Sequence, residues 1–164
     1  MHRAPSPILR PGPRLRPARA ILGLALVAAL AAPLLASPAD TVKSRISAYR
    51  ELGTAFKGVN DGLRGEPQTV ILQQYARQIR NFAKMQYTLF PADSGPQPGV
   101  KTLALPAIWA KPAQFKAAQD AFTNQAAAFQ KAVSGGNAAA IRAEARKLGG
   151  SCKGCHDQFR QPKD

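Results

Sequence analysis

Residues 152–156 read Cys152-Lys153-Gly154-Cys155-His156, inside a stretch patterned as one amphipathic helix. Ile141, Ala145, Leu148, Cys152, Cys155 and Phe159 recur at spacings of three and four, the period of a single helix face. Asn137 is suited to cap its start. Two thiols three residues apart lie on the same face of such a helix. Both can therefore reach the two vinyl groups of one haem. The histidine that follows then presents its imidazole to the iron from one side. The five-residue pattern is that of c-type haem attachment, with one haem c per chain and His156 as the metal ligand.

Three plainer readings of the pair are weaker. A disulfide between Cys152 and Cys155 closes a very short loop and stabilises little. A thioredoxin-like pair sits at a helix N-terminus after a strand, where the dipole lowers a thiol pKa. This pair sits near a helix C-terminus. A structural zinc site takes four ligands, usually Cys and His. Beyond residue 39 the sequence offers only Cys152, Cys155 and His156.

Residues 1–39 differ from the rest. Five arginines (Arg3, Arg10, Arg14, Arg16, Arg19) and no acid precede an apolar run from Ile21 to Leu35, broken by Pro33. Small residues follow at Ala36, Ser37 and Ala39. That order is the layout of a secretory signal peptide. The run is short for a membrane span, which needs about 20 apolar residues. Cleavage after Ala39 is expected, leaving a periplasmic chain without a membrane span. Removing 39 residues from 164 leaves 125, and the formal charge falls from +14 to +9 because five arginines leave with no acid. The remaining cations are spread along the chain rather than clustered. Together with export, this argues against a nucleic-acid partner and fits a basic surface that steers an acidic redox protein.

Residues 40–164 are enough for one domain and predict four helices. The first, from about Asp40 to Leu63, has Val42, Ile46, Tyr49, Gly53, Phe56, Asn60 and Leu63 on one stripe and Asp40 as a suitable cap. The second opens near Pro67 and carries Leu72, Tyr75, Ile79, Phe82 and Met85. A Pro- and Gly-rich loop fills 91–106, with Ile108 and Trp109 as an apolar plug beneath it. The third begins near Pro112, with Phe115, Ala118, Phe122, Ala126, Phe129 and Val133 inward, and stops at Ser134-Gly135-Gly136. The fourth carries the cysteines. The expected fold is all-α: an antiparallel four-helix bundle with one long crossover loop.

These features together resemble the class II cytochromes c, of which cytochrome c′ is the best-known type. The resemblance spans nearly all of 40–164. It rests on the C-terminal run 152–160, the Phe90-Pro91-Ala92-Asp93-Ser94-Gly95 turn, the Pro106-Ala107-Ile108-Trp109 segment and Tyr49-Arg50. It implies a left-handed four-helix bundle, a periplasmic location and frequent homodimers. By the same resemblance, Arg50 is expected to meet a haem propionate and Arg160 to lie near the His156 ring. Low-spin members carry a methionine four residues after the first helix's arginine, and high-spin members an apolar blocker. Counted from Arg50, that position is Thr54.

His156 is the single histidine beyond residue 39, Met85 the single methionine there, and Lys57 a further nearby nitrogen donor. With Met85 assigned to the core and Lys57 to solvent, an open sixth iron position is expected. Two functions fit. One is one-electron transfer with periplasmic redox partners. The other is binding of a diatomic gas, nitric oxide or carbon monoxide. No acid–base pair or nucleophile accompanies the motif, so an enzyme is not expected.

Overall fold

The computed structural model describes residues 37–162, so nearly all of the expected leader lies outside them. Among these residues five α-helices follow in order: α1 Pro38–Gly62, α2 Thr69–Met85, the short α3 Ala107–Ala110, α4 Pro112–Gly135 and α5 Ala138–Phe159. Among the described residues the only β-type contacts are two isolated bridges. The four long helices form the bundle, and α3 is the turn of helix that carries the Ile108–Trp109 plug. Among these residues no helix is long and apolar enough to cross a membrane.

Local chemistry sets most helix ends. The Ser37 side chain, not Asp40, caps α1 by accepting from the Asp40 amide at 3.1 Å, with Pro38 in the first turn. Asn137 caps α5 by accepting from the Ala140 amide at 2.9 Å. Gly136 ends α4 at φ 72°, a left-handed position that glycine takes at no steric cost. α2 starts later than Pro67 suggests. The Gln68 amide is still tied back to the Gly62 carbonyl, so 67–68 belong to the turn.

α1 packs on α2, α2 on α4, and α4 on α5. Phe129, Leu72, Ile79, Val133, Ile141, Leu148 and Val59 are fully buried between them. Phe82 and Phe122 meet edge to face at 6.2 Å. Met85 is not in this core: it is 44% exposed. The chain tightens there into a 3-10 turn, Gln86–Thr88, and Gln86 takes the buried place instead. Its amide Nε2 donates to the Ala83 and Gln119 carbonyls and to Thr123 Oγ1, so burial leaves this donor satisfied.

The buried face of α1 is shifted from the expected stripe. Ala55, Val59 and Gly62, outside that stripe, are buried, whereas its Gly53 and Asn60 are exposed and its Tyr49, Phe56 and Leu63 half-buried against the core. The crossover loop is held at both ends. The buried Arg45 Nη1 donates to the Leu89 carbonyl (3.2 Å), the Ser94 carbonyl (3.0 Å) and Ser94 Oγ (3.0 Å). Its guanidinium lies 4.7 Å from the Phe90 ring centroid. At the far end Leu105 N donates to the Phe159 carbonyl, and Gln161 N to the Leu103 carbonyl, so the loop grips the C-terminal end of α5.

Candidate haem site

α1 and α5, which would close the ring of a four-helix bundle, barely approach each other. Two contacts fix their register. Arg142 Nη1 donates to the Leu63 carbonyl at 3.1 Å. A Cβ at Gly149 would lie 3.3 Å from Phe56 Cζ. Seven residues back along α1 match seven forward along α5, two helical turns. The helices therefore run antiparallel, with Tyr49 opposite Cys155 and His156, and Gly53 opposite Cys152. Nothing lies within 4 Å of where a Gly53 Cβ would stand.

Cys152 and Cys155 are half-buried free thiols on the side of α5 that packs toward the apolar clusters. Burial raises the pKa of both, that of Cys155 to about 11, so both stay protonated at neutral pH. Poor thiolates do not suit a redox pair. Among the described residues no three His, Cys, Asp or Glu side chains gather around a metal-ion position. His156 is exposed, with Arg160 Nη1 3.3 Å from its Nδ1, so Arg160 stands beside the ring.

The other two expected site residues lie elsewhere. Arg50 is exposed, and Thr54 is exposed with its hydroxyl donating to the Arg50 carbonyl at 3.1 Å. Five residues beyond Tyr49, Thr54 points roughly 140° away around the helix. The spacing of an arginine and a residue four later is also met by Arg45 and Tyr49, and that pair is the one turned inward. Arg45 is 2% exposed, and its Nη2 is buried without a hydrogen-bond partner. Tyr49 packs edge to face on Phe82 (4.8 Å) and Phe90 (6.0 Å). The signal was present in the sequence but ambiguous. Only the fold of residues 89–94 against α1 decides which arginine is covered.

A haem fits this arrangement. Two thiols and an imidazole border the space between α1 and α5. Aromatic rings from α1, α2 and the loop lie beside it, and a buried guanidinium N–H donor without a partner matches a carboxylate-bearing group.

Comparison with known proteins agrees. The family model described as cytochrome C′ matches residues 40–160. Cytochrome c′ of Rubrivivax gelatinosus is 31% identical over 126 residues, 76% of this chain and 96% of that protein. Its crystal structure superposes with a TM-score of 0.69, covering 76% of this chain and 97% of that one. Cytochrome c′ of Rhodopseudomonas palustris is 34% identical over 127 residues, 76% of this chain and 84% of that protein. A nitric oxide complex of a variant cytochrome c prime from Alcaligenes xylosoxidans superposes with a TM-score of 0.70 at 25% identity, over 78% of this chain and 99% of that one. This four-helix chain, with its thiol pair and histidine beside an open helix seam, belongs to the cytochrome c′ family, whose proteins carry covalently bound haem c.

Proposed function

We propose that this protein is a periplasmic one-electron carrier, exported by residues 1–39 and working through a haem c held by Cys152 and Cys155. What supports the reading is that both thiols are half-buried on α5, whose approach to α1 the bundle leaves loose. The haem supplies the ferrous–ferric couple; the residues of the chain do the rest. Cys152 and Cys155 would tether it at two points, and the packed rings of Tyr49, Phe82 and Phe90 would help exclude water from it. Arg45, rather than Arg50, offers its unpartnered Nη2 to a propionate while Nη1 keeps the loop in place.

In this reading His156 would hold the iron, with Arg160 beside its ring, Nη1 3.3 Å from Nδ1. A formal charge of +9 on residues 40–164 favours acidic redox partners.

A second reading, binding of nitric oxide or carbon monoxide, is favoured by the residues available on the opposite side. Tyr49 is packed on Phe82 and Phe90, Lys57 is paired with Asp61 at 2.6 Å in solvent, and Met85 is on the surface of α2. None of these supplies a ready sixth ligand. Absorption spectra of both oxidation states, followed by carbon monoxide titration of the ferrous form, test both readings. High-spin ferrous protein that binds the gas readily supports an open position. A low-spin ferrous spectrum that Met85→Leu or Lys57→Ala converts to high-spin would refute it and leave electron transfer alone.

A further inference from the structure

We propose that the cleft between α2 and α4 is a binding site for a phosphate-type oxyanion, built on Arg77 and Arg80. It is formed by α2 and α4 rather than by the thiol-bearing α5, and it does not depend on the haem reading. Gln73, Ala76 and Arg77 of α2 border the cleft with Gln130, Val133 and Ser134 of α4. Ala76 and Val133 are buried and form its floor. Arg77 is exposed at its mouth. Arg80 follows Ala76 by four residues and Arg77 by three, so it continues the same wall by one turn. Its Nη1 is buried and has no hydrogen-bond partner. A buried donor left unmatched is costly, and an accepting ligand removes that cost. Ser134 Oγ already donates to the Gln130 carbonyl at 3.0 Å. The donors that remain for a ligand are the two guanidinium groups and the side-chain amides of Gln73 and Gln130.

The charge of this face has the sign such a ligand needs. Arg77, Arg80 and Lys84 recur at spacings of three and four along α2, and no residue of that helix is acidic. Cations at that spacing repel one another. Among the described residues no ion pair uses any of the three. The acid of α4, Asp120, is taken by Lys116 at 2.8 Å and by the Tyr87 hydroxyl at 2.8 Å. A bound oxyanion supplies the missing negative charge and the missing acceptor together. A guanidinium fork meets two phosphate oxygens at once, and a chloride ion offers no such pair. Arg80 reaches the ligand by turning its fork outward on a half-buried stem. Inorganic phosphate and the phosphodiester of a lipid headgroup share this chemistry.

The experiment heats the haem-loaded protein in increasing inorganic phosphate, against chloride at equal ionic strength. A ligand that binds only the folded chain raises the thermal midpoint. The expected result is a rise that saturates with phosphate and is absent in chloride. Arg77→Gln and Arg80→Met should each weaken phosphate binding by about tenfold, the equivalent of about 1.4 kcal/mol. Lys101→Gln, which removes an exposed loop cation, should leave it unchanged. Arg80→Met also removes the unmatched donor, so its midpoint without phosphate should be no lower than that of wild type. Sedimentation with phosphatidylglycerol vesicles, against phosphatidylcholine, separates the two sources. Retention that Arg77→Gln abolishes assigns the site to a lipid headgroup, and phosphate binding without retention assigns it to the free ion. No phosphate-dependent rise, or an equal rise in wild type and both arginine variants, would overturn the site and leave the haem reading untouched.

Discussion

Gly58 of α1 lies flat against the ring of Tyr75 on α2: a Cβ at Gly58 would stand 2.2 Å from Tyr75 Cζ. Real Cβ atoms do not approach a ring so closely, so the glycine is what lets α1 and α2 pack at this distance. Gly58→Ala gains up to about 1 kcal/mol of helix propensity and loses about 1–3 kcal/mol to overpacking. The expected net effect is a lower thermal midpoint for the haem-loaded protein. Adding Tyr75→Ala should make the alanine at 58 cheaper than it is alone, because the two side chains compete for one space. Equal costs in the two backgrounds would mean that the helices separate instead.

The two arginines of α1 should behave oppositely. Arg45 satisfies two backbone carbonyls and Ser94 Oγ from a buried position, so Arg45→Ala should cost about 2–4 kcal/mol and loosen the crossover loop. Arg50 is exposed, and Arg50→Ala should stay within about 0.5 kcal/mol of wild type. Denaturant unfolding of the haem-loaded variants measures both. The reverse order would restore Arg50 and Thr54 to the site.

Phe122 is 6% exposed and meets Phe82 across the α2–α4 contact. Truncation to alanine should cost about 3–5 kcal/mol, the usual range for a buried phenylalanine. The same chemical unfolding experiment reads it, and a loss near zero would place the residue on the wrong side of α4.

Local signals carried most of the fold into the sequence. Asn137 as a cap, Gly136 as a stop and the Phe115–Phe122–Phe129 spacing all act within one helix, and the structure keeps each of them. The haem motif is equally local, since five consecutive residues state its chemistry. What stayed hidden depends on contacts between distant segments. Arg45 and Arg50 each stand four residues before a candidate partner, and only Ser94 and Phe90, more than 40 positions away, distinguish them. Met85 fits the apolar period of α2, yet the tightening into a 3-10 turn gives its place to Gln86, whose partners Gln119 and Thr123 belong to α4. The stripe of α1 was legible as a stripe. That Ala55, Val59 and Gly62, outside it, take the fully buried places was not, because periodicity does not say what a face packs against.

The mass of the denatured, exported protein tests the central claim most directly. Two thioether bonds survive unfolding, so the mass should equal that of a chain beginning between Ser37 and Asp40 plus one haem. Cys152→Ala and Cys155→Ala should each weaken or abolish that loading. A polypeptide mass without haem, or a haem that acid acetone extracts, would contradict covalent attachment at Cys152 and Cys155.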